Sequence, residues 1–213
     1  MSNIDTNTTK KISYGLFVLT ANTNKQNGCI INTAIQVTSE PYQISIAVNK
    51  SNYTAQMILE SKEFNISVIS QNAKFDVFTR FGFQSGRDVD KFDGFSCPKA
   101  ENGIYYIDSP VANAFMSVKV KSVVELSTHY VFIGEVSEAK VLSDAKSATY
   151  EYYFEHIKPK KQAPQEPKKA KVYVCQICGY EYDESREKVP FDELPNSWTC
   201  PLCTHPKSDF ELQ

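Results

Sequence analysis

The sequence predicts a mainly β, α+β protein in which a barrel-like domain is followed by a small metal-bound module. Three observations carry this. Strand-like apolar runs bounded by polar or proline-containing turns fill residues 1–157, with two helical stretches among them. A stretch with six lysines, three prolines and no large apolar residue follows at 158–171 and cannot contribute to a core. Two CxxC pairs then lie within residues 172–213. The chain is therefore read as a domain at 1–157, a linker at 158–171 and a second domain at 172–213.

The elements follow in order. "ISYGLFVLT" (12–20) is a β-rich apolar run, and "GCIINTAIQVT" (28–38) follows a polar turn. "YQISIAVN" (42–49) starts just after Pro41, and "FNISVIS" (64–70) alternates apolar and polar residues. "MSVKVKSVVEL" (116–126) and "HYVFIGEVSEAKVL" (129–142) read as an antiparallel pair. Between them, Ser51 or Asn52 is placed to cap a helix over "YTAQMILESK", and "NAKFDVFTRFG" is amphipathic with a glycine stop. Several strands and a few helices of this length indicate a barrel-like α+β domain.

Composition excludes several classes. The net charge of −2 argues against a nucleic-acid or membrane partner. The N-terminus is polar and no apolar run is long enough to span a bilayer, so a reducing cytoplasm is expected. No GxGxxG follows a strand and no GxxxxGK[ST] occurs, which argues against Rossmann and P-loop nucleotide sites. Charge is unevenly spread. Residues 158–171 sum to +5 and residues 172–213 to −5, giving a basic connector and an acidic cap. The lysine run lacks interleaved aromatics for base stacking and reads as solvated, extended chain of up to ~40 Å.

Cys175, Cys178, Cys200 and Cys203 have metal-ligand spacing, and four thiolates suit zinc and iron alike. Tyr173, Tyr180, Tyr182, Phe191, Trp198 and Phe210 crowd the same segment, as a domain with so little core requires. This aromatic frame favours iron. The pattern Tyr-x-Cys-x-x-Cys-Gly-Tyr-x-Tyr-Asp (173–183), Phe-x-x-Leu-Pro-x-x-Trp-x-Cys-Pro-x-Cys (191–203) and Lys-x-x-Phe (207–210) closely resembles rubredoxin. The resemblance implies one iron held by the four cysteines, with the aromatics as packing. Two departures stand out: a short loop between the pairs, and Thr204 where the family usually has glycine.

In the first domain, "YGLFVLTA" (14–21), residues 27–54, "FNISV" (64–68), "FGFQSGRDVDKF" (81–92) and "HYVFIGEV" (129–136) resemble the flavin reductase-like family. The resemblance implies an FMN-binding split β-barrel, usually dimeric. Gly28 offers close backbone approach to the flavin ring, Cys29 a contact with it, and Asn32, Thr33 and Gln36 polar edges. Asn49, Lys50, Ser51, Asn52 and Thr54, at the start of a helix, together with Ser85 and Arg87, suit the phosphate. His129 aligns with a histidine that contacts nicotinamide in such reductases. Cys97, His156 and His205 have no motif support.

The fusion resembles the high-molecular-weight rubredoxins. What this implies is hydride transfer from NADH or NADPH to FMN, then single electrons through iron to an external acceptor. A flavodiiron protein that reduces O2 or NO is the acceptor class this arrangement suggests. A flavin reductase releasing reduced FMN to a monooxygenase, and a non-enzymatic redox sensor, are the competing classes.

Overall fold

The computed structural model describes residues 4–159, 171–187 and 189–213 and divides the chain after Pro159 into two compact units. Most of the expected linker, residues 160–170, lies outside the described residues.

The larger unit has strands β1 (Phe17–Asn22), β2 (Gln26–Ile31), β3 (Ala34–Ser39), β4 (Tyr42–Asn49), β5 (Glu63–Ile69), β6 (Ala112–Glu125) and β7 (His129–Val141). They form one antiparallel sheet in the order β2-β1-β5-β6-β7-β4-β3. Alternation explains the inward face: Ile44, Ile46 and Val48 of β4 are buried while their neighbours are not. These three share one core with Cys29 and Ile31 of β2, although β2 and β4 lie toward opposite ends of the strand order. The sheet must curl for that to happen, which gives the barrel character. Phe64, Phe132 and the helix α1 (Tyr53–Ser61), through Ala55, Met57 and Ile58, fill the interior.

A second core packs α2 (Phe75–Gly82) by Val77, Phe78 and Phe81 against Leu16, Val18 and Ile69. The chain from Phe83 to Lys91 returns from α2 to this core through Phe92. Near the end of the unit, an α-helical turn, Tyr150–Tyr152, runs into a π-helical turn, Tyr153–Ile157.

Two local expectations need correction. The run 28–38 is not one strand. It breaks at Asn32–Thr33, because β2 pairs with β1 whereas β3 pairs with β4. Nor does glycine freedom stop α2: Phe83 caps it at φ −110°, so Gly82 needs no left-handed backbone.

The smaller unit has β8 (Val172–Cys175), β9 (Glu181–Asp183) and β10 (Phe210–Leu212), ordered β10-β8-β9. Its core is Tyr173, Tyr182, Phe191 and Phe210 with buried Cys175 and Cys200. Tyr173 stacks on Phe191 with ring centroids 4.1 Å apart, and Trp198 stands edge-on to Tyr182, Phe191 and Phe210. Among the described residues no helix is long and apolar enough to cross a membrane.

Phe132 is fully buried in the barrel core, so Phe132→Ala should destabilise the larger unit by about 3–5 kcal/mol. Ile35→Ala, at an exposed position on β3, should change stability by less than about 0.5 kcal/mol. Urea midpoints of the two variants check the contrast.

Candidate functional site

The site is built on the turn that leads into α1. Asn49 Oδ1 accepts hydrogen bonds from the Ser51 backbone N–H (2.9 Å) and hydroxyl (2.8 Å). Asn52 Oδ1 then accepts from the Thr54 N–H (2.9 Å), which makes Asn52, not Ser51, the helix cap. Two asparagines bonding amides two residues on shape this segment, and the Lys50 N–H ties it to the sheet by donating to the Thr128 carbonyl at 3.0 Å. Thr54 is buried behind it and accepts from Asn27 Nδ2 at 3.0 Å.

A cleft of about 300 Å³ opens against this turn. Cys29 and Ile30 of β2 line one wall, Ser51, Asn52 and Tyr53 another, and Ser85, Gly86, Arg87 and Lys91 a third. Across Ile30 and Asn52 it meets a second hollow of about 270 Å³, reached by Asn32, Asn49, His129 and Tyr150. These volumes suit parts of a small-molecule ligand. Register brings two of the side chains together, since Asn49 at the end of β4 pairs with His129 at the start of β7. The His129 Nδ1 lies 2.8 Å from the Thr128 hydroxyl.

The two hollows differ electrostatically. The first has no acidic residue in its lining but contains Arg87 and Lys91. Lys25 joins them from the turn between β1 and β2, donating to the Gly86 carbonyl at 2.5 Å. The Lys25 and Arg87 cations both lie over the Tyr53 ring, at 5.6 and 5.1 Å from its centroid. Arg87 Nη1 also donates to the Ser51 carbonyl at 3.2 Å, tying the loop after α2 to the turn before α1. A side chain at Gly86 would strike the Asn27 amide, so this close approach requires glycine. The second hollow holds no Lys, Arg or acid; apolar Leu16, Ile30 and Val48 alternate there with asparagine amides. A planar ring with a polar edge fits such a lining, and an anionic group fits the first hollow. Burial pushes the Cys29 thiol up, so Cys29 lines the wall as a neutral group.

Of the residues expected from sequence, Cys29, Ser51, Asn52, Ser85 and Arg87 line the first hollow, and Asn32, Asn49 and His129 the second. Thr33 sits beside them with its hydroxyl donating to Asn32 Oδ1 at 3.0 Å. Four stand elsewhere. Gln36 is exposed on β3 and bonds the Thr38 carbonyl. Lys50 is held by Glu125 in a 2.6 Å ion pair. Thr54 lies behind the wall. At Gly28 an added side chain would meet the Leu19 carbonyl, Phe81 and Thr20 at 3.1 Å, so its small size serves packing within the protein. Sequence reasoning did not single out Lys25, Tyr53, Lys91 or Tyr150. Lys25 sat in a polar turn and Lys91 in a charged run, both of which read as solvent-facing.

In the smaller unit the two CxxC loops are matched. Cys175 N–H donates to the Tyr180 carbonyl and Gly179 N–H to the Cys175 carbonyl. Cys200 N–H donates to His205 and Thr204 N–H to Cys200 in the same way. Gly179 (φ 76°) and Thr204 (φ 61°) therefore occupy equivalent left-handed positions. The four Sγ atoms lie within 4.8 Å of one another, with Cys175–Cys203 at 3.7 Å and Cys178–Cys200 at 3.6 Å. A tetrahedral metal with bonds of ~2.3 Å to sulfur sets sulfur–sulfur edges of roughly 3.8 Å, so the cage fits one such ion. Backbone N–H groups of Tyr180 and His205 point at Cys178 and Cys203, the kind of contact that stabilises thiolate charge.

Comparison with known proteins bears on both units. A family model described as "Flavin reductase like domain" matches residues 9–161, and the rubredoxin model matches residues 172–210. A high molecular weight rubredoxin of Moorella thermoacetica is 34% identical over 98% of this chain and 99% of its own. A ferric-chelate reductase (NAD(P)H) of Archaeoglobus fulgidus is 36% identical over 72% of this chain and 90% of its own. Among solved structures, an NADH:FAD oxidoreductase of Streptomyces globisporus superposes with a TM-score of 0.62 at 21% identity, covering 70% of this chain and 92% of that one.

Thr204 is β-branched and left-handed, a conformation that costs a non-glycine residue roughly 1–2 kcal/mol. Thr204→Gly should therefore raise the stability of the metal-loaded smaller unit by about 1 kcal/mol, whereas Thr204→Ala should recover little of it. Denaturant melts followed at the metal–thiolate absorption compare the two.

Proposed function

The chain belongs to the flavin reductase-like family and carries a C-terminal rubredoxin domain, and from that premise we propose that it relays electrons from a nicotinamide nucleotide to an external redox protein. FMN held in the larger unit and one iron held by Cys175, Cys178, Cys200 and Cys203 would supply the redox chemistry, a two-electron carrier feeding a one-electron carrier. The observation that carries this reading is that one chain contains both a cleft with a cationic end and a neutral end, and a four-sulfur cage sized for a single metal.

The residues divide the work. Arg87, Ser51 and Ser85 hold the flavin phosphate, where an arginine fork and hydroxyls suit phosphate oxygens. Asn32 and Asn49 present amides to the polar edge of the ring. His129, at the mouth of the neutral hollow, orients the nicotinamide of NADH or NADPH. In the smaller unit the backbone amides around Cys178 and Cys203 hold the thiolates in place.

The domains are assigned as 1–157 and 172–213, joined by a linker at 158–171. Tethering keeps the iron unit at an effective concentration near the millimolar range relative to the flavin unit. The protein acts as a homodimer in the reducing cytoplasm, and its acceptor is a flavodiiron protein that reduces O2 or NO. The smaller unit's acidic surplus, eight acidic against three basic residues over 172–213, steers it toward a basic partner surface.

Anaerobic addition of NADH or NADPH to the full chain should bleach the flavin and ferric–thiolate absorption bands together. Bleaching of flavin alone, with the iron band unchanged, would reject the relay. In stopped flow, rising salt should slow transfer from iron to the acceptor far more than it slows flavin reduction. Equal salt slopes for the two steps would reject charge-steered docking.

A further inference from the structure

The β6–β7 hairpin ends in an exposed turn that carries a residue of the cleft. Strand pairing runs as far as Glu125 with Tyr130, and the Leu126 N–H then donates to the His129 carbonyl at 2.9 Å. Residues 125–128 are exposed, and none of them joins the barrel core. His129 comes next and lines the neutral hollow. Its Nδ1 is taken by the Thr128 hydroxyl at 2.8 Å, which leaves Nε2 to meet a ligand.

One side chain braces this turn. Lys50 stands one residue beyond β4, and its N–H extends the β4–β7 pairing past Asn49 and His129 to the Thr128 carbonyl. The side chain then crosses β7. Its ammonium lies 5.3 Å from the centroid of the Tyr130 ring and reaches Glu125 Oε1 on β6 at 2.6 Å. A single lysine thus links the ends of three adjacent strands. Tyr130 packs against the barrel core, and consecutive strand residues face opposite sides of a sheet, so the brace grips β7 behind His129. The Lys50 side chain is 28% exposed, against 48–62% for the other lysines ion-paired among the described residues. Exposed ion pairs add little to stability, and strands of 14 and 13 residues pair without this one. What the brace can fix is the last position of the hairpin. A misplacement of ~1 Å there costs a reaction far more than it costs the fold.

We propose that Lys50 and Glu125 are positioning residues, whose ion pair across β7 holds His129 where it receives the nicotinamide of the electron donor. This rests on the assignment of His129 above and adds how that side chain is held. It also gives Lys50 a task other than binding phosphate. Its ammonium is bonded to a carboxylate and laid over an aromatic ring, and Lys50 lines neither hollow. A cation so engaged is poorly placed to serve an anion in the cleft.

The test is anaerobic stopped flow on the full-length chain loaded with FMN and iron. Lys50→Met and Glu125→Gln should each lower the second-order rate of flavin reduction by NADH or NADPH about three- to fivefold, the upper end of what such an ion pair is worth. Reduction by dithionite, which needs no nicotinamide site, should stay within about 1.5-fold in both variants, as should FMN binding to the flavin-free chain followed by fluorescence quenching. Exchanging the pair, Lys50→Glu with Glu125→Lys, should recover most of the lost rate. In a His129→Ala background Lys50→Met should cost nothing further, because the brace acts only through the histidine. An unchanged nicotinamide rate in both single variants would overturn the proposal. So would an equal loss with and without His129, or a loss of FMN affinity confined to Lys50→Met, which would return Lys50 to the phosphate. If His129→Ala alone left the nicotinamide rate unchanged, the assignment of His129 beneath the proposal would be refuted instead.

Discussion

The larger unit's site depends on where α1 begins. The Asn49 and Asn52 side chains each bond an amide two residues ahead, and together they turn the chain from the end of β4 into the helix. Everything around the cleft is placed relative to that turn. Ala55, Met57 and Ile58 can enter the barrel core only if the helix starts at Tyr53. With them seated, Ser51 and Asn52 face β2 across the cleft, and Tyr53 becomes the surface on which Lys25 and Arg87 converge. The loop after α2 is fastened to the same turn by Arg87 and to the β1–β2 turn by Lys25. A local capping interaction worth about 1 kcal/mol therefore fixes the relative positions of three segments distant in sequence.

The smaller unit is governed by a different constraint. Its buried hydrophobic residues are Tyr173, Tyr182, Phe191 and Phe210 with two of the cysteines, too few to stabilise an independent fold by apolar burial alone. Metal binding closes two loops that the aromatic frame only brings near one another, so binding and folding share their free energy. The two loops are related by matched hydrogen bonds, and each requires one left-handed residue. Glycine fills that need in the first loop and threonine in the second, which places the strain of the unit beside one ligand.

Legibility followed the range of the interactions. The four cysteines and the aromatic spacing of the smaller unit are set within about forty residues, and the motif revealed them directly. Strand β4 could be read residue for residue because Pro41 marks its start and alternation its length. The break between β2 and β3 was hidden, because what separates them is the choice of opposite sheet partners, a long-range fact with no local marker. The burial of Lys91 was hidden for a related reason. A lysine in "GRDVDKF" looks solvated among charges, and only the fold reveals that it is 3% exposed while Asp88 and Asp90 are exposed. Lys50 lies close in sequence to the helix start, and only the fold reveals its ion pair with Glu125 of β6.

These electrostatics bear on which class of flavin chemistry the chain performs. A reductase that hands reduced flavin to another enzyme needs a site that lets it go. A relay needs one that keeps it through repeated turnovers, because each flavin lost strands the iron without a donor. The first hollow is electrostatically suited to an anionic ligand. Its lining contains no acid, and Lys91 is buried there without an acidic partner among the described residues. An anion bound there would offset part of the cost of an isolated buried ammonium, a gain that a phosphate held only at the surface would not share. The same logic makes sense of the attached four-thiolate unit, since a carrier of electrons fixed to the chain is of use only where the flavin that feeds it also stays.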